Sequence, residues 1–553
     1  CLLLAVTAAF VPFVLVIATL MAVAMAAGSL LCFRVAGMPR MLVITAVGIV
    51  LAVALHLPWS LEILRASSPW EAVAGLSSTS GGPLGLGRVL RFETGPWGAP
   101  PLGWAFLLAG ILPVVIGRSW RLEWAVRAWF VVLGGWGIVW AGQEGHLPMG
   151  LPAPEVMLAP VAAALALAAA LGLAAFETDL RAYRFGWRQV LSVLAALGVV
   201  LGALPLASGV LDGRWRTPSR DYTASLDRLV RTEGRAPFRV LWVGDPEFLP
   251  ASGWRFNEDL AYVSTDRGTP TVLDRIPGPP PGSTHLLADS LNTAMERRTN
   301  RVGHLLAPMG VRYLVVPSRL APTSGSDTGR RAVPTELAET LNQQSDLREV
   351  PVAEGLAVFE NTAWVSSRAV LPELDGDRTD YTQAVADDLA DGLPAVIVDQ
   401  GNTDATGEVP AEGDVLVASG SDDGWGLTVD GVPMDRSEIY GWANRFTATR
   451  TGDAELTFDT PIGHRLAVLG QVLGWVVVVV VVAMMQQVII QNRMMVGGFV
   501  VGDHVVSLSD ITCPVLAVLG EVLGWVVVVV VWRRVRHAER VAADRTAPVG
   551  GQS

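Results

Sequence analysis

The chain has 553 residues, a formal net charge of −11, and 51% apolar against 17% charged residues. A net negative chain is the wrong sign for a nucleic-acid partner, and this apolar balance suits a polytopic membrane protein better than a soluble one. All 41 basic residues are arginine; Cys1, Cys32 and Cys513 are too widely separated for a disulfide framework or a thiolate metal site, and the seven histidines contain no HxxxH pair.

The amino-terminal part is a series of apolar stretches, to be measured against the roughly 20 apolar residues needed to cross a bilayer core. Six spans are expected, at about 8–33, 41–58, 102–117, 124–142, 155–176 and 189–211. Arg34 and Arg40 follow the first, Arg118 and Arg121 the third, and Arg181, Arg184 and Arg188 the fifth, whereas 143–154 has no arginine. The arginine-bearing loops are cytoplasmic under the positive-inside rule. Arg65, Arg88 and Arg91 in the 59–101 loop count weakly against this assignment, although longer loops tolerate charge better. Counting crossings forward, the chain leaves a plasma membrane on its outer face after Leu211, and 212–463 is expected to be extracytoplasmic. Cys1 opens the chain directly before an apolar run with no basic segment ahead of it, so an upstream portion is expected to be missing. The alternative, a mature lipoprotein, normally places a polar tether after its cysteine.

The polar block has its own order. Phe238 to Val243 is an extended apolar run ending at Gly244-Asp245-Pro246, which predicts a strand and a turn. A Pro/Gly-rich loop at 276–282 precedes a helix expected over 284–306, with Leu287, Leu291, Ala294, Met295, Val302 and Leu305 near one face. Met309-Gly310 then turns into a buried strand to Val316, and a helix at 334–344 and strands at 347–352 and 356–360 follow. Such alternation favours a small parallel or mixed sheet. From Pro394 to Thr460 the runs AVIVD, DVLVAS, WGLTVD, RFTATR and AELTFD are short, alternating and separated by Gly/Asp turns, as in a β-sandwich. The expected fold is a membrane α-helical bundle over 1–211, an extracytoplasmic α/β domain over 212–375 and an extracytoplasmic β-sandwich over 376–463.

Met309-Gly-Val-Arg-Tyr-Leu-Val-Val316, Leu356-Ala-Val-Phe-Glu-Asn361 with Ala363-Trp364 and Arg368-Ala369, and Gly424-Trp-Gly-Leu-Thr-Val-Asp-Gly431 resemble the outer region of YfhO-type polytopic membrane proteins of the GT-C class. The segments Leu151 to Pro160, Ala175 to Leu180 and Tyr183 to Trp187 are similar to the multi-span region of large actinobacterial membrane glycosyltransferases. In that family a family 2 glycosyltransferase domain comes first, then the spans, then an extracytoplasmic domain. The resemblance covers about 40–480 and departs at the front, where no nucleotide-sugar domain is present. It implies the membrane and outer portion of a glycosyltransferase of cell-envelope polysaccharide or glycolipid assembly, with the bilayer and a lipid-linked sugar or envelope glycan as partners. The second reading is a non-catalytic, membrane-anchored glycan-binding or scaffolding module.

A GT-C enzyme needs an acid at the outer membrane surface, as base on an acceptor hydroxyl or as metal ligand near a lipid-linked donor. No cofactor is evident from the residues, and the resemblance leaves room for a divalent metal in the parent enzyme. The outer loops offer Glu62, Glu71 and Glu93; Glu62, directly after a span, is the catalytic candidate. Arg88 and Arg91 suit a phosphate, and Trp59 and Trp97 a sugar ring. The plain alternative is a set of interfacial aromatics and solvated charges. In the sandwich, Trp425, Tyr440 and Trp442 are a candidate carbohydrate face, with core packing as the alternative. Asp375-Gly-Asp377 has the spacing of a metal-nucleotide motif, but nucleotide sugars are absent outside the cell. Gly81 to Gly87 lacks the Lys-Ser/Thr of a phosphate loop, and no GxSxG is present.

The carboxyl end repeats itself. Leu466 to Trp475 and its valine run recur as Leu516 to Trp525, with Gln471 matched by Glu521. Between them, Met494 to Glu521 is similar to a late strand region of polyhydroxyalkanoate synthase-like hydrolases, with neither nucleophile nor catalytic Asp supplied. The expected division is a transmembrane helix at 464–482, an inserted hydrolase-like fragment at 483–515, a repeated hydrophobic helix at 516–532 and a basic cytoplasmic tail at 533–553. Two crossings would leave Arg533, Arg534, Arg536 and Arg540 outside, so a native single span joined to an unrelated fragment through the shared LAVLG word is the simpler account.

Overall fold

The computed structural model describes residues 2–65, 69–76, 84–94, 103–179, 187–211, 226, 236–246, 248–251, 253–257, 259–266, 284–318, 333–399, 404–495, 500–501 and 504–505. Cys1–Gln471 is one compact unit and Val472–Ser553 a second. The first unit begins with apolar helices and continues into a mixed α/β sheet and two antiparallel sheets.

The amino-terminal helices are α1 (Leu2–Phe10), α2 (Val14–Leu31), α3 (Met38–Leu55), α4 (Trp59–Arg65), α5 (Pro69–Ala74), α6 (Leu86–Leu90), α7 (Ala105–Ile116), α8 (Trp120–Gln143), α9 (Pro154–Asp179) and α10 (Trp187–Leu211). Among the described residues five helices are long and apolar enough to cross a membrane: α2, α3, α8, the Pro154–Ala174 part of α9, and Ile462–Met484. Of the other two spans expected from sequence, that at 102–117 falls on the shorter apolar helix α7, and that at 189–211 on the 25-residue α10, which contains the apolar stretch Val193–Leu204. At a rise of about 1.5 Å per residue, α7 falls short of a hydrocarbon core of roughly 30 Å. Val43, Val47 and Val50 of α3 and Val193, Leu197 and Val200 of α10 are exposed, as suits helices whose solvent is lipid.

Helix α8 packs on α2 and α9, and α7 on α9 and α10. The crossings are close because glycines sit at them: a Cβ on Gly135 would lie 2.2 Å from Val161 Cγ2, and one on Gly28 would lie 2.8 Å from Arg127 Cα. At the second crossing Arg127 Nε donates to Ser29 Oγ at 2.9 Å, which donates in turn to Met25 O at 2.8 Å. Contacts between loops sort the ends of this bundle. Arg34, after α2, pairs with Glu123 at the start of α8 (3.1 Å). At the other end of α8, Gln143 Oε1 accepts from Leu84 N (3.1 Å) and Trp70 Nε1 donates to Gly150 O (2.6 Å). The polar region meets the bundle at that second end, with Arg255 3.9 Å from Glu71 and Leu76 packed against a core of the polar region.

The polar region holds β1 (Arg239–Gly244), β2 (Trp254–Arg255), β3 (Ala261–Asp266), α11 (Thr284–Met295), α12 (Val302–Leu306), β4 (Val311–Pro317), α13 (Thr335–Asn342), β5 (Leu347–Val350) and β6 (Leu356–Asn361). They form a six-stranded sheet in the order β2-β3-β1-β4-β6-β5, parallel only between β1 and β4. All seven residues of β4 are buried, as a central strand covered on both faces requires. Alternation sends Leu241 and Val243 into one core with α11, α12 and α13, and Val240 and Trp242 into another with Phe238 and Tyr313.

The helix expected over 284–306 is two helices. Glu296, Arg297 and Arg298 are exposed, and Arg297 has φ +56. Arg297 N donates to Ala294 O (2.9 Å) and Arg298 N to Thr293 O (3.0 Å), which closes α11 with a left-handed cap. Asn361 ties the second piece to β4: its Nδ2 donates to Gly303 O (2.8 Å) and Val311 O (3.0 Å), and its Oδ1 accepts from Ala363 N (3.0 Å).

The remaining strands are β7 (Arg368–Val370), β8 (Leu393–Pro394), β9 (Val396–Asp399), β10 (Ala405–Val409), β11 (Gly413–Gly420), β12 (Trp425–Val429), β13 (Val432–Pro433), β14 (Asp435–Ile439), β15 (Ala443–Ala448) and β16 (Gly452–Phe458). Two five-stranded sheets, β13-β12-β16-β10-β9 and β14-β15-β11-β7-β8, enclose Val415, Val417, Leu427, Val429, Phe446 and Leu456. Strand β7 lies before the boundary at 376 expected from sequence, and belongs to the second of these sheets. The outer face of that sheet is also covered: Leu416, Ala418, Ile439, Tyr440 and Trp442 share one core with Leu241, Leu291 and Leu314 of the α/β part.

Helix α14 (Ile462–Met495) runs through the expected 464–482 span and into the expected 483–515 fragment. In the second unit β17 (Val500–Val501) pairs with β18 (His504–Val505). The repeated helix at 516–532 and the tail at 533–553 lie outside the described residues.

Candidate functional site

Of the acids and arginines of the 59–101 loop, Arg88, Arg91 and Glu93 come together, and Glu71 faces Arg255. Glu62 is exposed on the seven-residue α4. Glu71 is on α5, beside Arg255. Glu93 is taken up by Arg91 Nη2 (2.7 Å) and approached by Arg88 Nε (3.7 Å), and the Arg91 guanidinium also lies over the Trp104 ring at 5.4 Å. Both candidate phosphate-binding arginines therefore have a carboxylate neighbour. Trp59 stands edge-on to His56 at 5.8 Å. Trp97 and residues 81–83 of the glycine-rich loop lie outside the described residues.

The sandwich aromatics separate. Trp425 packs its ring on Phe458 (5.0 Å) and against the core between the two sheets. Tyr440, with φ +57, is buried, and its hydroxyl donates to Asp387 Oδ2 at 2.9 Å. Burial, and the Asp387 carboxylate beside it, hold that phenol above the usual tyrosine range. Asp387 is gripped from the other side by Arg378, whose Nε reaches both carboxylate oxygens at 3.1 and 2.9 Å. Tyr440 is thus spent on structure. Asp375-Gly-Asp377 serves the same neighbourhood: Asp375 O accepts from Arg378 Nη1, and Asp377 lies 3.5 Å from Arg445. Among the described residues no three His, Cys, Asp or Glu side chains come together as metal ligands.

Trp442 has a different setting. With Trp254, Arg239, Ser264, Asp266, Thr284, Leu287, Met309, Val311 and the Ala418-Ser419-Gly420 strand end, it lines a cleft of about 340 Å³. Pairing of β1 with β3 sets Arg239 opposite Asp266 and Leu241 opposite Ser264, so Ser264 and Asp266, two apart, point to the same face. Asn444 fixes the far wall: its Nδ2 donates to Ser419 O (3.0 Å) and Gly420 O (3.1 Å). Ser421 N donates to Trp442 O (2.6 Å), which holds the tryptophan backbone beside that wall. On the near side Tyr262 OH donates to Thr284 O (2.9 Å), tying the start of α11 to β3. Burial, and then the charge of Asp289, raise the Tyr262 phenol above its ordinary value.

Two polar atoms on this cleft stand out. Among the described residues Trp442 Nε1 and Ser264 Oγ are buried without a hydrogen-bond partner, although Trp442 is only 6% exposed. Leaving such a group unsatisfied costs about 1–3 kcal/mol. Arg239 is already engaged, through Nε to Asp266 (3.3 Å) and Nη1 to Met309 O (2.9 Å). The cleft therefore offers indole faces, a donor and a hydroxyl, with its one arginine charge matched by a carboxylate. Of these residues the sequence pointed only to Trp442. Ser264, Trp254 and Arg239 carry no local signal, since only the sheet register and the contact between the α/β part and the sandwich bring them together.

Compared with known protein families, with curated proteins and with solved structures, the chain finds no match in any of the three.

Proposed function

We propose that the chain is the membrane and outer portion of a glycosyltransferase acting in cell-envelope polysaccharide or glycolipid assembly, with its polar region extracytoplasmic in a plasma membrane. The observation that carries this reading is the cleft lined by Trp254 and Trp442, an aromatic and hydrogen-bonding surface of the kind that suits a sugar ring, held on a domain seated against a helical bundle. Sidedness draws support from the bundle ends. Arg34 and the start of α8, with Arg118 and Arg121 just before or within it, share one end. The polar region meets the loops at the other, which the positive-inside rule makes the outer one. The motifs from Met309 to Val316 and Gly424 to Gly431 that resemble envelope glycosyltransferases lie in this same region.

A second reading, a non-catalytic glycan-binding module, is favoured by the dispersal of Glu62, Glu71 and Glu93. The two separate in cells whose own copy is replaced, by following incorporation of labelled sugar into envelope polymer. Loss of the chain lowers incorporation under either reading, and unchanged incorporation would sink both. Glu62→Gln abolishes transfer only if this chain supplies the base; intact transfer leaves the module.

A further inference from the structure

We propose that the cleft between the α/β part and the sandwich is a subsite for one neutral sugar unit, stacked on the indole of Trp442 and hydrogen-bonded by Trp442 Nε1 and Ser264 Oγ. This rests on the glycan reading above and adds to it a place and a ligand charge. The two partnerless buried atoms are of complementary kinds: the indole N–H only donates, and the serine hydroxyl donates and accepts, which together suit the hydroxyls of a sugar. Apolar surface for the C–H face of the ring comes from Trp442, Trp254 and Leu287. Neutrality follows from Arg239, whose guanidinium is occupied by Asp266 and by Met309 O, so an anionic sugar or a phosphate meets the Asp266 carboxylate beside that arginine. A cleft of ≈ 340 Å³ sits at the small end of ligand pockets. It has room for roughly one or two rings of a polymer, the rest of which remains in solvent.

The test is calorimetric titration of the full chain in lipid nanodiscs. The probes are the methyl glycosides of glucose, galactose, N-acetylglucosamine and rhamnose, with methyl glucuronide and inorganic phosphate as anionic comparisons. At least one neutral glycoside is expected to bind, more tightly than either anion. Trp442→Phe, which keeps a ring but removes the N–H, and Ser264→Ala are each expected to weaken it by about tenfold. The thermal midpoint without sugar should hold or rise in Ser264→Ala, which deletes an unsatisfied buried group, and should fall modestly in Trp442→Phe, which also gives up part of a core side chain. Heat from no neutral glycoside, as when water alone satisfies the two atoms, overturns the subsite, and so does tighter binding of glucuronide or phosphate. Neutral glycosides that bind both variants as they bind the parent chain also overturn it, while leaving a glycan site elsewhere. The functional reading fails separately, through unchanged sugar incorporation in cells that lack the chain.

Discussion

Arg255, on the edge strand of the mixed sheet, lies 3.9 Å from Glu71 on the short helix Pro69–Ala74, and so marks where the polar region meets the helical bundle. The pair is long and Glu71 is half-exposed, so its Coulombic contribution is small beside the packing of Leu76 against the core that holds Val240 and Trp242. Reversal of charge at Arg255 should change stability by less than about 1 kcal/mol. Leu76→Asp, which puts a carboxylate against that core, should cost about 2 kcal/mol. Limited proteolysis of the detergent-solubilised chain measures both: faster release of the polar region is expected from Leu76→Asp and not from Arg255→Glu.

Two buried phenols give the polar region an alkaline limit. Tyr262 and Tyr440 are both raised above the ordinary tyrosine value, in each case by burial first and a carboxylate second. A raised acid binds its proton more tightly folded than unfolded, so its contribution is complete below the unfolded value near 10 and declines as pH rises past it. Stability should fall above about pH 10 by roughly 1.4 kcal/mol per pH unit for each phenol. Denaturant titrations at stepped pH should show Tyr440→Phe removing about half of that slope, at a cost of about 1 kcal/mol at neutral pH for the lost bond to Asp387. An unchanged alkaline slope would count against the burial of this hydroxyl.

Asn361 ties the helix Val302–Leu306 to the strand Val311–Pro317 through its buried amide. With two donated bonds and one accepted, all buried, Asn361→Ala should destabilise the polar region by about 3 kcal/mol. Asn361→Asp should do no better, because a carboxylate cannot donate to Gly303 O or Val311 O. Thermal unfolding of the two variants decides, and a functional aspartate variant with parental stability would refute the donor assignment.

Neighbouring glycines of Trp120–Gln143 should behave oppositely. A Cβ on Gly135 meets stiff, β-branched Val161, whereas one on Gly134 meets nothing within 4 Å. Gly135→Ala should cost about 1–3 kcal/mol by overpacking the crossing. Gly134→Ala should be neutral or add up to about 1 kcal/mol through helix propensity. Midpoints in detergent compare them, and equal effects would mean that the helices do not cross there.

Hydropathy made the long helices legible, continuous apolar runs made β1 and β4 legible, and period-two alternation made β11, β12, β15 and β16 legible, because each of those signals is local. Strand β10, Ala-Thr-Gly-Glu-Val, and strand β14, Asp-Arg-Ser-Glu-Ile, have too few apolar residues to signal, and gain their order from β16 and β15 alongside. The helix break at Glu296–Arg301 was hidden because Val302 and Leu305 continue the apolar face of Thr284–Met295 after an interval that a single helix would also fit. The cleft was illegible for a different reason. Arg239, Ser264 and Trp442 are distant in sequence, and nothing about Trp442 alone distinguished it from Trp425, which is half-buried against Phe458 and the sandwich core.

Sidedness of the polar region underlies the rest, and single-cysteine labelling in intact cells tests it most directly. Glu412 is on the exposed turn before Gly413–Gly420, and Val35, 52% exposed, is between Val14–Leu31 and Met38–Leu55. In a chain with its own cysteines replaced by serine, Glu412→Cys should react with a membrane-impermeant maleimide in intact cells, and Val35→Cys only after lysis. The reverse pattern would put the polar region in the cytosol and contradict the account.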